Sequence, residues 1–159
     1  MDILVVDDSR ATRESLIALL QDRAADTRVR EAGSASHAIA QMTAARPDLI
    51  VLDIQMDGPQ GFAVLEAAKR MGHAAPVVII FTSHAIAGYR KRAEGLGADY
   101  FFDKASGVRE LLQAIDAVAA DTYCVMRTAA GSDQQPAGSI GNEYDTARRR
   151  KRGLSPTNR

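Results

Sequence analysis

Tryptophan is missing from this 159-residue chain and cysteine occurs once, at Cys124. A lone thiol closes no internal disulfide and builds no cysteine metal cage, so the fold must stand on packing and hydrogen bonds. Long apolar stretches are missing too. No run approaches a membrane span, and the N-terminus sets Asp2, Asp7 and Asp8 around only four apolar residues, unlike a secretory leader. A soluble, cytoplasmic protein with no membrane partner is the expectation. Nor is there an excess of charge, since 20 Lys or Arg balance 20 Asp or Glu. Bulk electrostatics therefore argues neither for nor against nucleic acid. The distribution is less even: residues 1–120 hold 13 bases against 16 acids, and the remainder 7 against 4. A mildly acidic body carries a basic tail.

What the chain does have is short apolar runs that end on polar residues. Asp48-Leu49-Ile50-Val51-Leu52-Asp53, between Pro47 and Gly58-Pro59, reads as a strand buried on both faces that delivers Asp53 to a sheet edge. Ile3 to Val6 does the same for Asp7 and Asp8, and Val77 to Phe81 for Thr82. Thr27 to Ala32 alternates weakly, as an edge strand would, and Tyr100-Phe101-Phe102 is followed by Asp103 and Lys104. Helical spacing fills the gaps. Leu16, Leu19, Leu20 and Arg23 follow a candidate N-cap at Ser9; Ala35, Ala38, Ile39 and Met42 repeat after Gly33-Ser34; Phe62, Leu65, Ala68 and Lys69 form a stripe within 60–71. A shorter helix is expected over 85–95, and a last one from Gly107 to about Asp121 through Val108, Leu111, Leu112, Ile115 and Val118.

Five strands alternating with five helices imply right-handed parallel crossovers and a three-layer α/β sandwich. Of the doubly wound orders, the five-stranded, flavodoxin-like 2-1-3-4-5 fits the length and makes strands one and three neighbours at the switch point. Asp7, Asp8 and Asp53 then share one crevice at the carboxyl edge. Three crowded carboxylates repel, and a divalent cation resolves the repulsion. Mg²⁺, a hard ion that takes a few carboxylates, water and a phosphate, suits a cluster with no Cys or His nearby. Asp8 and Asp53 are the expected direct ligands with the backbone carbonyl of Gln55, and Asp7 acts through water. Thr82 and Lys104 add a hydroxyl and a fixed cation on the same edge. Such a set suits phosphoryl transfer onto a carboxylate, with Asp53 as acceptor. Neither the phosphate loop G-x-x-x-x-G-K-S/T nor the dinucleotide fingerprint G-x-G-x-x-G is present, although Gly95-Leu96-Gly97 echoes the latter, so a nucleotide is not the expected donor. Singly, each residue has a plainer role, as a helix-start acid, an N-cap, a surface lysine or a core aromatic. Their joint placement is what points to chemistry.

An acid pair after strand one, an acid after strand three, a Thr after strand four and a Lys after strand five resemble the receiver domain of bacterial two-component response regulators. The resemblance covers about residues 1–120. It implies that Asp53 takes a phosphoryl group from the phosphohistidine of a sensor kinase or histidine phosphotransfer protein, with Mg²⁺ bound. It also implies a switch pair, Thr82 and Phe101. On phosphorylation the Thr82 hydroxyl moves to the phosphate and Phe101 turns inward, shifting a two-state surface around helix four, strand five and helix five. Partner choice follows, and a dimer through that face is a further implication. Gln55 and His84 flank the site at positions the family varies. Two positions depart from the usual pattern: Asp57 and Ala105 each stand where the family commonly has Pro. A trans Lys104-Ala105 bond and a rearranged loop are therefore expected, since a non-proline cis bond costs about 2.5 to 4 kcal/mol.

Residues 122–159 differ in kind, rich in Gly, Ser, Gln, Asn and Pro and closing on Arg148-Arg149-Arg150-Lys151-Arg152. Disorder is the expectation. The segment lacks the roughly sixty residues of periodic helix that a helix-turn-helix effector takes, which points to a stand-alone receiver acting through a protein target, with no sequence-specific nucleic acid and no turnover of an external substrate. Three rivals stand beside it. An aspartyl-phosphate phosphatase needs a second Asp two residues after the nucleophile, where this chain has Gln55. A pseudo-receiver would bind partners without phosphorylation. A nucleic-acid binder would act through the basic tail, which otherwise is a solvated extension.

Overall fold

The computed structural model describes residues 1–21, 27–57 and 60–129, with side chains as far as Thr122. The expected elements are all present. β1 (Asp2–Val6), α1 (Arg10–Gln21), β2 (Arg28–Ala32), α2 (Ala35–Ala44), β3 (Leu49–Leu52), α3 (Gly61–Lys69), β4 (Val77–Thr82), α4 (Ala87–Gly95), β5 (Tyr100–Asp103) and α5 (Val108–Ala129) follow in turn, with a 3-10 turn at Gly72–Ala74 before β4. The strands form one parallel sheet in the order β2-β1-β3-β4-β5, the flavodoxin-like order expected from the sequence.

Strand parity sorts the core into two layers, because successive side chains leave a strand on opposite faces. Leu4, Val6, Ile50, Leu52, Val78, Ile80 and Phe101 face α2, α3 and α4. Ile3, Val5, Leu49, Val51, Val77, Ile79 and Phe81 face α1 and α5. Both faces of β1, β3 and β4 are dry, which is why those runs carry no polar alternation. Edge strand β2 keeps Arg28 and Glu31 outward and buries Ala32. Each central strand buries its polar backbone in the ladder and is followed or closed by a polar residue at its carboxyl end: Asp7 after β1, Asp53 after β3 and Thr82 on β4.

Boundaries shift where capping overrules periodicity. Ser9 does cap α1, its Oγ accepting from the Thr12 N–H at 3.4 Å. Helix α4 begins at Ala87, two residues later than expected, because Ile86 is extended at φ −77° and ψ 150°. Helix α5 continues to Ala129 instead of ending near Asp121. The chain meets no Gly or Pro between Val108 and Ala130, so nothing stops the helix where the apolar period fades. Disorder is thus not what the structure shows for 122–129, and the rest of the expected tail, with the cluster Arg148 to Arg152, lies outside the described residues. So do Arg23, Gly58 and Pro59. One compact unit spans Met1–Val125, and the second, Met126–Arg159, is described only over the end of α5. Among the described residues no helix is long and apolar enough to cross a membrane.

Two glycines mark opposite extremes of packing. A Cβ at Gly61 would lie 2.3 Å from the Asp53 carbonyl oxygen and 2.4 Å from the Ile54 Cα, so α3 seats its first residue directly on the end of β3. A Cβ at Gly88 would meet nothing within 4 Å. Gly61→Ala is expected to lose about 3 kcal/mol in urea denaturation, because backbone must yield. Gly88→Ala should gain about 0.5 to 1 kcal/mol by restricting the unfolded chain.

Candidate functional site

Register brings the acids together. Val6 pairs with Leu52, so the next residues, Asp7 and Asp53, leave the sheet at the same level. The Asp53 N–H donates to the Val6 carbonyl at 2.8 Å and the Asp7 N–H to the Ala32 carbonyl at 3.1 Å, extending the ladder through both acids. One carboxylate oxygen from each of Asp7, Asp8 and Asp53 lies within 4.8 Å of the others. Asp7 and Asp53 are buried, at 2% and 5% exposure, while Asp8 is exposed.

On the other side, Thr82 pairs with Asp103, and the Lys104 N–H donates to the Thr82 carbonyl at 3.0 Å. That bond aims the following side chain across the edge. Lys104 Nζ lies 2.5 Å from Asp7 Oδ2 and 2.6 Å from Asp53 Oδ2. The remaining oxygens are held locally: Asp7 Oδ1 accepts from the Ser9 N–H and Asp53 Oδ1 from the Gln55 N–H, each at 2.9 Å. Both carboxylates therefore sit in fixed rotamers.

Charge is not balanced by this one ammonium. Burial pushes the Asp7 carboxyl above its usual range, against the lowering effect of Lys104, and Asp53 raises it further. Burial also works against the charge on Lys104, but the bonds to Asp53 and Asp7 outweigh it and hold its proton more tightly than usual. An ion pair alone would lower the acid. Asp7 is the deeper partner, at 3% side-chain exposure against 17% for Lys104, so desolvation decides its direction. Three hard oxygen donors in excess of one cation fit a divalent ion of the Mg²⁺ kind, with Asp7, Asp8 and Asp53 as the holding set.

Thr82 is fully buried at the end of β4, and its Oγ1 accepts from the His84 N–H at 3.2 Å. Phe101, the other member of the implied switch pair, is buried on β5. The ring is already inward at 7% exposure, with the Arg90 guanidinium 4.4 Å above its centroid and Arg90 Nη1 donating to its carbonyl at 3.2 Å. The Lys104-Ala105 bond is trans, as expected without Pro. Asp103 shapes the loop instead, accepting from the Ala105 N–H on Oδ1 at 2.9 Å and from the Gly107 N–H on its carbonyl at 2.7 Å. Asp57 has φ 43°, a left-handed conformation closed to Pro, whose ring locks φ near −65°. The departure at this position thus comes with a backbone that Pro could not adopt.

Sequence reasoning missed three residues that shape the site. Gly61 lets α3 abut Asp53, and a glycine opening an apolar helix was its only signal. Tyr89 reaches from α4 to donate to Gln55 Oε1 at 3.3 Å while its ring meets Phe62 edge-on at 5.6 Å. Arg13 contacts the backbone of Asp7 and Asp8, the two acids that follow β1. Neither could have been picked from among the other helix side chains by spacing.

Residues 3–116 match the family described as the response regulator receiver domain. The chain is 33% identical over 122 residues to the transcriptional activator protein ExaE of Pseudomonas putida, an overlap of 76% of this chain and 56% of that protein. It is 32% identical over 114 residues to the response regulator MprA of Mycobacterium avium, over 70% and 48% of the two chains. Among solved structures, a LuxR-family two-component response regulator from an Aurantimonas species superposes with a TM-score of 0.67 at 30% identity, covering 76% of this chain and 85% of that one. The chemotaxis protein CheY4 of Vibrio cholerae superposes with a TM-score of 0.65 at 25% identity, over 74% and 97%. The chain spans about half the length of the two curated relatives.

Two substitutions test the electrostatics. Lys104→Met leaves two buried carboxylates without their cation and should cost at least about 1 to 3 kcal/mol at neutral pH by urea denaturation. For Asp7, whose folded value is raised, the folded protein binds more protons than the unfolded chain as pH climbs out of the usual carboxylate range. Stability should fall with rising pH across that window. Asp7→Asn should flatten the fall and be the more stable protein at neutral pH, with the advantage vanishing in acid.

Proposed function

Because the chain belongs to the response regulator receiver family, we propose that it is a phosphorylation-controlled signalling switch in which Asp53 accepts a phosphoryl group from the phosphohistidine of a sensor kinase or histidine phosphotransfer protein. The observation that carries this is the meeting of Asp53 with Lys104 beside Asp7 and Asp8 at one sheet edge. An Asp53 oxygen attacks phosphorus in line with the histidine nitrogen. The new P–O bond forms as the P–N bond breaks, and the imidazole leaves with the electron pair. Each Asp53 oxygen already accepts one hydrogen bond and keeps a second lone pair for the attack.

Asp7, Asp8, Asp53 and the backbone carbonyl of Gln55 would hold Mg²⁺, which supplies charge neutralisation among the acids and the phosphoryl oxygens. Lys104 stands where a phosphoryl oxygen would develop charge, and the Thr82 hydroxyl, whose oxygen accepts from the His84 N–H, would donate its own O–H to the phosphate. Phosphotransfer and its reversal by water are chemistry on the protein's own side chain, so no external substrate turns over. We assign this to residues 1–121 and none of it to 122–159. The output is a change of protein partner at α4, β5 and α5, with a dimer through the same face as one form of it. Because a matched relative is named a transcriptional activator, control of transcription stands among the proposed downstream outcomes.

A second reading has one observation in its favour. Phe101 already lies inward beneath Arg90, which suits a pseudo-receiver that engages partners without phosphate. Acetyl phosphate with Mg²⁺ separates the two. Intact-mass measurement should show the gain of one phosphoryl group, mapped to Asp53, absent in Asp53→Ala and absent when Mg²⁺ is chelated. No gain would favour the phosphorylation-independent module, and steady phosphate release from added phosphoesters would favour a hydrolase.

A further inference from the structure

Arg13 stands on α1 but spends its guanidinium elsewhere. Nη1 donates to the Asp7 carbonyl at 2.8 Å and to the Asp8 carbonyl at 3.3 Å, while Nε pairs with Glu31 Oε2 on β2 at 2.9 Å. The side chain is 14% exposed, against 80% for Arg10 one turn earlier. Room for it is made by Gly33, where a Cβ would press on Nη1 at 3.1 Å. One planar fork thus joins the β1–α1 loop to β2, a geometry that the point charge of a lysine does not reproduce.

The loop it grips is the one that carries two of the three candidate ligands. Asp7 has its side chain fixed by Lys104 and the Ser9 N–H. Asp8, the exposed member of the trio, is held through its carbonyl by Arg13. We propose that Arg13 is a positioning residue for the cation site: by clamping the carbonyls of Asp7 and Asp8 it sets the spread of the acid pair, and with it the affinity for Mg²⁺. It touches neither the ion nor the phosphoryl group. The inference rests on the assignment of Asp7, Asp8 and Asp53 as the Mg²⁺ site.

Sign separates positioning from simple charge. A nearby cation repels Mg²⁺, so if charge were all that Arg13 contributed, removing it would tighten binding. If it positions, removal weakens binding. Calorimetric Mg²⁺ titration of the full chain, held well below its unfolding temperature, reads the sign directly. Arg13→Gln should weaken Mg²⁺ about tenfold, at the low end of what supporting partners contribute to metal affinity. Gly33→Ala, which pushes on the same guanidinium without removing its charge, should weaken it in the same direction by less. Arg10→Ala should leave it unchanged. In acetyl phosphate labelling the Mg²⁺ concentration for half-maximal rate should rise in Arg13→Gln, with the rate at saturating Mg²⁺ retained.

Unaltered or tighter Mg²⁺ binding in Arg13→Gln overturns the proposal, whatever the loss of thermal stability. Should that variant fail to fold, Gly33→Ala decides by the same criterion. A wild-type chain that binds no Mg²⁺ would instead overturn the metal assignment itself, and the two failures are told apart by that first titration.

Discussion

The bridge from Lys104 to Asp7 and Asp53 ties the ends of three strands into one structure. β1 and β3 each deliver an acid at the same level, and β5 delivers the ammonium that keeps them from repelling. Backbone pairing alone would place these ends side by side, but two buried carboxylates a few ångströms apart are unfavourable without a cation. The same contact that holds the edge together also occupies Asp53, the proposed acceptor. Structure and chemistry compete for one ammonium, and the competition is what a phosphoryl group and a divalent ion would resolve.

Much of this was legible in the residues. The apolar runs Ile3 to Val6, Leu49 to Leu52 and Val77 to Phe81 read as strands buried on both faces, and the polar residues that follow them had to collect at one edge once the strands were parallel. Alternating elements then left few sheet orders, and the observed one is the expected one. What sequence could not convey was the third dimension around those ends. Arg13 and Arg10 are both arginines on α1, and only the approach of β2 and the absence of a Cβ at Gly33 make one a clamp and the other a surface charge. Asp57 read as a lost proline, whereas the backbone there is left-handed. The end of α5 was hidden for a different reason. Apolar period marks only the part of a helix that repeats one face, and the chain offers no Gly or Pro to end this helix before Ala130.

The two layers of the core have different duties. The layer holding α1 and α5 is ordinary aliphatic packing, with Leu16, Leu20, Leu111, Ile115 and Val118 against β1, β3 and β4. The other layer links α4 to the site through mixed contacts: Tyr89 to Gln55, Arg92 4.1 Å above the ring of Phe62, and Arg90 over Phe101. Contacts of this kind are individually modest and break singly, unlike a jigsaw of aliphatic side chains. Helix α4 buries only Ala93 fully, so its attachment depends on them. On the proposed reading it is the element that a change at Asp53 would be expected to move.

The stowed ring of Phe101 bears on how loudly such a protein could speak. An arginine stacked on an aromatic face contributes about 0.5 to 2 kcal/mol, which favours the tucked arrangement several-fold before any signal arrives. If Phe101 is the switch aromatic proposed above, a relay biased in this way would carry background output. Its dynamic range would shrink from below, and the stimulus would turn up a dial that never rests at zero.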